Sequence, residues 1–158
     1  MILVLDIDGT LADLSHREFL VADKAHADWD TFFSEDLLYK DAVIKNALEG
    51  YAAFYDVAAK VYVITGRPER TQLRTAEWLI EQGFDIARLL DNMIFRPDDL
   101  TMSSREFKRT VLESVIIPEN PDGKYVFIDD DLRNLDMFAE YGLALKAPEI
   151  WQEVIKVK

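Results

Sequence analysis

The sequence predicts an α/β fold, in which helices cover both faces of a Rossmann-like parallel sheet. Short apolar runs, rich in β-branched and aromatic residues, alternate with amphipathic stretches along the chain. The runs span residues 2–5, 61–64, 93–95, 125–128 and 143–145. Runs of this length and composition are typical of buried strands. Strands that alternate with helices favour a parallel sheet that is buried on both faces.

Four helices are predicted between these strands. The first carries an apolar stripe at helical spacing, formed by Val43, Ala47, Leu48, Tyr51, Ala52 and Tyr55. The second is expected to begin at Pro68, which suits a first helical position, and to stop at Gly83. The third begins with a capping-box pattern, Ser103 with Glu106. The fourth is short and is closed by Gly142.

Residues 12–40 are too many for a plain connection between a strand and a helix. We interpret them as a small, cap-like helical insertion over the end of the sheet, within one domain that spans residues 1–158. An aromatic cluster of Trp29, Phe32 and Phe33 is expected to form the core of this insertion; a stacking contact between Trp29 and a planar ligand group is the less favoured alternative.

Composition limits the classes of partner. The net charge is −12, from 30 acidic and 18 basic residues. Such a surface repels polyanions, so an extended nucleic-acid-binding surface is not expected, although a local pocket for one phosphate remains compatible with it. The chain contains no cysteine, which excludes disulfides and thiolate metal sites and suits the cytoplasm. The opening apolar run is too short to span a membrane, so no membrane partner is expected.

Two carboxylates follow the first predicted strand, in the segment Asp6-Ile7-Asp8-Gly9-Thr10. Residues two apart on an extended backbone point the same way, so Asp6 and Asp8 can face one spot. Carboxylates that lie this close repel each other unless a cation or a shared proton stabilises them. Mg²⁺ favours such oxygen ligands and keeps the rest of its shell for phosphate and water. Alone, the segment also fits a simple Asp-Gly turn.

Two further segments suggest a phosphate site. The second strand is expected to end in Thr65-Gly66-Arg67, just before a helix. A hydroxyl, free backbone N–H groups and a helix N-terminus together form an anion site, although a plain Thr-Gly turn is an equal alternative. Lys108 is placed in the first turn of the Ser103-capped helix, where the helix dipole disfavours a cation. A bound phosphate would explain this position.

A run of acids, Asp129-Asp130-Asp131, directly follows the fourth strand. Adjacent acids at the end of a buried strand are costly unless a positive charge lies beside them. The residues that suggest chemistry thus follow the carboxyl ends of strands: Asp6, Asp8, Thr65, Asp129 and Asp130. Open parallel sheets bind their ligands along that edge.

In order and spacing, these segments resemble the haloacid-dehalogenase superfamily of phosphatases. The resemblance implies that Asp6 attacks phosphorus and forms an aspartyl-phosphate, and that Asp8 serves as the acid and then the base. It implies that Thr65 and Lys108 hold the phosphoryl oxygens. Mg²⁺ would be bound by Asp6, the main-chain carbonyl of Asp8, and the pair Asp129 and Asp130. Asp130 is favoured as the direct ligand and Asp129 as its support.

A narrower resemblance concerns the substrate. His16-Arg17 after the first strand, and Thr65-Gly66-Arg67 after the second, are similar to segments of the 3′-phosphatase domain of phage polynucleotide kinase–phosphatases. The resemblance implies that Arg17, Gly66 and Arg67 bind the substrate, a phosphorylated nucleotide or nucleic-acid 3′ end. The planar fork of arginine suits phosphate. No Gly-x-x-x-x-Gly-Lys-Ser/Thr loop is present, so kinase activity is not expected from this chain.

Three alternatives remain open. A nucleotidase that acts on free mononucleotides would use the same residues. A phospho-accepting receiver module is less favoured, because its acceptor aspartate follows the third strand, whereas the third run here ends in Arg96-Pro97. An inactive member that only binds its ligand is disfavoured, because each expected catalytic position carries a suitable residue.

Overall fold

The computed structural model describes residues 1–157. Its seven strands are β1 (Ile2–Leu5), β2 (Ala12–Asp13), β3 (Ala42–Val43), β4 (Lys60–Pro68), β5 (Met93–Arg96), β6 (Tyr125–Asp129) and β7 (Leu143–Lys146). Its α-helices are α1 (Trp29–Phe32), α2 (Glu35–Tyr39), α3 (Ala47–Val57), α4 (Gln72–Glu81), α5 (Ser104–Val111), α6 (Ile117–Glu119), α7 (Leu132–Phe138) and α8 (Glu149–Lys156). A π-helical segment, Leu112–Ile116, joins α5 to α6.

The main sheet has five parallel strands in the order β5-β4-β1-β6-β7, which confirms the predicted α/β fold. Alternate residues of β1 enter two different cores. Leu3 and Leu5 contact one core, which includes residues of α3, α4 and α8. Ile2 and Val4 contact the other, which includes residues of α5 and α7. Because both faces are covered, β1 is apolar throughout and β4 and β6 carry continuous apolar runs, as the sequence indicates.

Two helices begin later than predicted. β4 continues through Gly66 to Pro68, and a 3₁₀ turn precedes α4, so the predicted helix start at Pro68 is wrong. The register of the pairing between β4 and β5 shifts between Thr65 and Pro68. The residues there belong to an irregular strand end and not to the predicted helix. The first predicted helix begins at Ala47, because Val43 lies in β3 instead.

The helix ends agree better with the sequence. Ser103 and Glu106 form the predicted capping box at the start of α5. Gly83 adopts a φ of +91° just after α4, the left-handed conformation that stops a helix. Lys108 lies in the second turn of α5, not the first, so the dipole argument for a bound phosphate does not apply to it.

Residues 12–40 contain the short helices α1 and α2 and two 3₁₀ turns. Antiparallel pairing of β2 with β3 joins the two ends of this segment. The expected aromatic core is only partly formed: Phe32 is buried, but Trp29 is 54% exposed. Among residues 1–157, no helix is long and apolar enough to cross a bilayer.

Candidate active site

The predicted site residues converge at the carboxyl edge of the sheet because β1 lies between β4 and β6. The strand register pairs Leu5 with Val63 on one side and with Ile128 on the other. Asp6, which directly follows β1, and Asp129, the last residue of β6, therefore lie side by side. Asp8 and Thr65 lie at the same edge.

Gly9 allows this close arrangement. Its φ is +75°, which a residue with a Cβ rarely adopts. A Cβ added at Gly9 would also overlap the carboxylate of Asp130. Glycine is therefore required here both for the sharp exit from β1 and for the approach of the loop that follows β6.

One half of the site is rich in acids. This acidic half consists of Asp6, Asp129, Asp130 and Lys108. The three aspartates each offer an oxygen, and these oxygens all lie within 4.8 Å of one another, so they could hold a metal ion. Lys108 Nζ donates to Asp129 Oδ2 at 2.6 Å and lies 3.1 Å from Asp6 Oδ2. Lys108 itself is 1% exposed.

The charges of the acidic half do not balance. Three carboxylates face one ammonium group, which leaves an excess negative charge that a divalent cation would neutralise. Burial raises the pKa of Asp6 to about 8; Lys108 opposes this rise, and Asp129 and Asp130 add to it. Burial and the charge of Asp129 raise the pKa of Asp130 to about 6.

Asp129 has protein partners on both of its carboxylate oxygens. Oδ2 accepts from Lys108, and Oδ1 accepts from the backbone N–H of Asp131 at 2.9 Å. Asn134 Nδ2 lies 3.3 Å from each oxygen. Asn134 was not singled out from the sequence, because one amide side chain in a helix carries no signal of its own. The assignment of Asp130 as the direct metal ligand stays a prediction.

The other half pairs acids with arginines. This arginine half consists of Asp8, Asp41, Arg17 and Arg67. Asp8 accepts hydrogen bonds from Arg17 Nη2 at 2.8 Å and from Arg67 Nη2 at 2.7 Å. Burial alone would raise the pKa of Asp8, but the charges and hydrogen bonds of Arg67 and Arg17 outweigh it and hold the pKa below its usual value. Asp8 is therefore ionised at neutral pH.

Asp41, like Asn134, is a site residue that the sequence interpretation missed. Its side chain is fully buried and accepts from Arg17 Nε and Nη2, at 2.9 and 2.8 Å, and from Arg67 Nη2 at 3.0 Å. His16 Nε2 lies 2.7 Å from Oδ1 of Asp41, the oxygen that also accepts from Arg17 Nε. A single aspartate before a short strand has no motif around it, so only the three-dimensional contacts reveal it.

The two arginines are already engaged. Arg17 and Arg67 are 0% exposed, and hydrogen bonds use four of the five N–H groups of each guanidinium. Besides the two acids, their partners are the carbonyl of Phe32 and the hydroxyl of Thr75. The structure thus places both predicted substrate-binding arginines next to Asp8, but their hydrogen bonds are made to other groups of the protein.

Thr65 and Gly66 lie at the irregular end of β4. Thr65 is buried, and its hydroxyl accepts from the backbone N–H of Arg67 at 3.1 Å. A Cβ added at Gly66 would meet no atom within 4 Å, so this residue faces open space. The predicted anion site therefore consists of an irregular strand end; the N-terminus of α4 lies further along the chain, at Gln72.

Comparisons with known proteins show which fold this is. No family model and no curated protein matches the sequence. Among solved structures, a haloacid dehalogenase-like hydrolase from Streptococcus pneumoniae matches with a TM-score of 0.64 and 12% identity, over 99% of this chain and 97% of that one. The chain has the haloacid-dehalogenase fold.

Two other solved structures with this fold are similar to the chain. CbbY from Rhodobacter sphaeroides, in complex with phosphate, matches with a TM-score of 0.55 and 18% identity, over 93% of this chain and 85% of that one. A chain of the Pnkp1/Rnl/Hen1 RNA repair complex matches with a TM-score of 0.61 and 20% identity, over 92% of this chain. The present chain spans 41% of the length of that repair protein, and 45% of a second such chain.

Proposed function

We propose that this chain is a phosphomonoester hydrolase in which Asp6 is the nucleophile. The observation that carries the proposal is the position of Asp6. Its carboxylate lies 3.1 Å from Lys108 Nζ, among acids suited to a cation, and two residues before an aspartate that two arginines orient. The haloacid-dehalogenase fold and the phosphate bound by the similar CbbY structure support the same conclusion.

The reaction proceeds in two balanced steps. An oxygen of Asp6 attacks phosphorus, the bond from phosphorus to the ester oxygen breaks, and the leaving oxygen takes a proton from Asp8. A water molecule then attacks phosphorus, gives a proton to Asp8 and releases inorganic phosphate and free Asp6. Because Asp8 is ionised at rest, it must take up the first proton when substrate binds, from water or from the phosphate itself.

Lys108 and Thr65 stabilise the phosphoryl group. Lys108 is positioned by Asp129 and by Asp6, so its ammonium lies beside the attacking oxygen without needing to move. The hydroxyl of Thr65 accepts from Arg67, which leaves its own O–H free to donate to a phosphoryl oxygen. Gly66 leaves room for the substrate beside these groups.

Magnesium fits the acidic half. Asp6, Asp129 and Asp130, with the main-chain carbonyl of Asp8, would hold it, because the excess negative charge and the oxygen ligands suit a hard divalent cation. When bound, the ion supplies charge neutralisation at the phosphate. It would also keep Asp6 ionised, and therefore nucleophilic, at neutral pH.

As substrate we propose a 3′-phosphorylated nucleotide or nucleic-acid end. The Arg17 and Thr65-Gly66-Arg67 segments resemble phage 3′-phosphatase domains, and one similar structure is a chain of an RNA repair complex. The contacts limit how the arginines act: both are 0% exposed, so in this arrangement they orient Asp8 and do not present their guanidinium groups to the substrate. A net charge of −12 favours a substrate that is gripped at its end rather than along a strand.

A substrate panel tests this proposal. We would compare 3′-phosphorylated oligonucleotides, 3′- and 5′-mononucleotides and sugar phosphates in the presence of Mg²⁺, with the Asp6→Asn variant as the control for contaminating phosphatase. We expect the highest kcat/KM on 3′-phosphorylated nucleotides, and no turnover by the variant. Faster turnover of 5′-mononucleotides would favour the nucleotidase alternative. Turnover of no phosphomonoester would reject the proposal.

A further inference from the structure

An exposed tryptophan lies in the insertion that also carries Arg17. Trp29 is 54% exposed, whereas Trp78 and Trp151, the other two tryptophans, are 0% exposed. Exposure of more than half of the largest apolar side chain is costly, and a patch of this kind beside a site commonly marks a contact with a ligand. The sequence predicted that Trp29 would fill the core of the insertion, and the structure corrects this.

A chain of contacts through Phe32 and Arg17 connects Trp29 to Asp8. The Trp29 ring meets the Phe32 ring edge-on, with centroids 5.4 Å apart. Arg17 Cζ lies 4.3 Å from the centroid of the Phe32 ring, and Arg17 Nη2 donates to Asp8 at 2.8 Å. Phe32 also fixes Arg17 through its main-chain carbonyl, which accepts from Nη1 at 3.2 Å.

α1 also borders the open side of the site. Asp30, the residue after Trp29, lies 3.6 Å from Arg70, which belongs to the 3₁₀ turn directly after β4. β4 carries Gly66, which faces open space. The first turn of α1 thus lies next to the segment that follows Gly66 at the carboxyl edge of the sheet.

The aromatic surface is rigid and flat. Trp29 stacks on Phe33, with centroids 5.9 Å apart and an interplanar angle of 21°. The residues beside Trp29 in sequence are acids, Asp28 and Asp30. A flat apolar face bordered by acids suits an uncharged planar group and disfavours a sugar-phosphate backbone.

We propose that Trp29, supported by Phe33, is the stacking subsite for the base of the nucleotide whose phosphate reacts at Asp6. This inference rests on the proposed function and adds what distinguishes a nucleotide from a simple sugar phosphate. Every base has a π face, so the subsite recognises nucleotides with little regard for sequence. A single stacked base also agrees with the acidic surface, because it adds affinity without further phosphate contacts.

Fluorescence tests the contact without turnover. Because Trp78 and Trp151 are fully buried, a base that stacks on the protein quenches mainly the emission of Trp29. We would titrate the Asp6→Asn variant, with Mg²⁺, with a 3′-phosphorylated dinucleotide and with a sugar 3-phosphate that lacks a base. We expect saturable quenching by the dinucleotide only. No quenching at saturation, or a change that follows protein concentration without nucleotide, would overturn the inference, the latter by showing that a second copy covers Trp29.

Kinetics test the consequence. Trp29→Leu keeps an apolar side chain without a π face, and we expect it to lower kcat/KM for the dinucleotide about tenfold, as loss of one stacked base predicts. Trp29→Phe should retain most of the activity, and the baseless sugar phosphate should be unaffected. Ile80→Ala is the matched control, because it removes a side chain of similar exposure, 57%, near the end of α4 and away from the site.

The outcomes separate the inference from the proposed function. If the kcat/KM of Trp29→Leu equals that of the wild type on every substrate, or falls by the same factor on all of them, the stacking subsite is rejected while the hydrolase proposal stands. If the wild type hydrolyses no phosphomonoester, the proposed function is rejected. The quenching titration still decides whether Trp29 binds a base in that case, since it depends on binding alone.

Discussion

The two halves of the site contain similar residues but differ in charge balance. In the arginine half, the buried Asp41 and the half-buried Asp8 meet two buried arginines, and hydrogen bonds join all four side chains. In the acidic half, three acids share one lysine. The pKa of Asp8 is lowered, whereas the pKa of Asp6 is raised to about 8, although only one residue separates them.

This difference shows which half depends on ligands. The arginine half is complete within the protein, so we expect it to contribute to stability and to fix Asp8 in place. The acidic half has excess negative charge, so we expect it to need a cation for charge balance. Asp41 thus serves structure in one half, whereas Asp129 and Asp130 are suited to binding in the other, because their charged neighbours differ.

The largest expected effect follows from breaking the acidic half at its nucleophile. Asp6→Asn should abolish turnover, because an amide does not attack phosphorus as a carboxylate does. The fold should survive, because the change preserves shape and, without metal, replaces a carboxyl group whose pKa is already raised to about 8. Steady-state rates and circular dichroism of the same preparation measure both results. Wild-type protein in excess chelator should be equally inactive; full activity of either sample would contradict the mechanism.

Asp8→Asn should reduce turnover less, by about 10²- to 10⁴-fold, because acid–base assistance is lost while the nucleophile remains. The loss should be smallest for p-nitrophenyl phosphate, whose leaving group departs without a proton. Water activation is also lost, so rapid mixing should show a burst of p-nitrophenolate before slow turnover. An equal loss on good and poor leaving groups, without a burst, would mean that Asp8 is neither the acid nor the base.

Asp41→Ala tests whether the arginine half serves stability. It leaves Arg17 and Arg67 buried with one carboxylate fewer, and breaking a buried ion pair in this way costs about 3–5 kcal/mol of unfolding free energy. Urea denaturation measures the change. Asp98→Ala is the control, since Asp98 pairs with Arg70 at 3.6 Å with half of its side chain exposed, and such pairs contribute about 0–1 kcal/mol. Equal losses in the two variants would remove the distinction between the halves.

The smallest expected effect is a dependence of stability on pH that magnesium removes. Without metal, Asp6 holds its proton in the folded state up to about pH 8 but loses it near pH 4 when unfolded. The folded state then binds more protons, so stability should fall as the pH rises from about 4 to 8. Asp8 adds no slope there, because its pKa is lowered and it is ionised in both states.

Melting temperatures across this pH range, with and without Mg²⁺, measure the effect. Mg²⁺ should flatten the slope and raise the melting temperature, since binding to the folded state adds about 2.7 kcal/mol at a hundredfold excess over Kd. Without metal, Asp6→Asn should flatten the slope between about pH 6 and 8, whereas Asp130, whose pKa is raised to about 6, should keep a slope below pH 6. A slope that persists between pH 6 and 8 in Asp6→Asn would assign the titration to another group.

The sequence by itself determined the sheet and the acids at its edge. Apolar runs of strand length and the segments after them are local features, and parallel strands necessarily place their carboxyl ends together. The three aspartates of the acidic half were therefore predictable, whereas Lys108 was expected through the resemblance and its helix-dipole argument was wrong. The capping box at Ser103 was equally predictable, because both of its partners lie within one turn.

Only the tertiary structure decided the arginine half and the aromatic subsite. Asp41 binds Arg17 and Arg67, which lie 24 and 26 residues away in the sequence. No local sequence pattern indicates such a distant partner. Tryptophan is usually largely buried, yet Trp29 is exposed here, whereas the Phe32 ring that contacts it is buried. Charge pairing and burial depend on which residues meet in space, and for residues far apart in the chain that is set by how the insertion folds back onto the sheet.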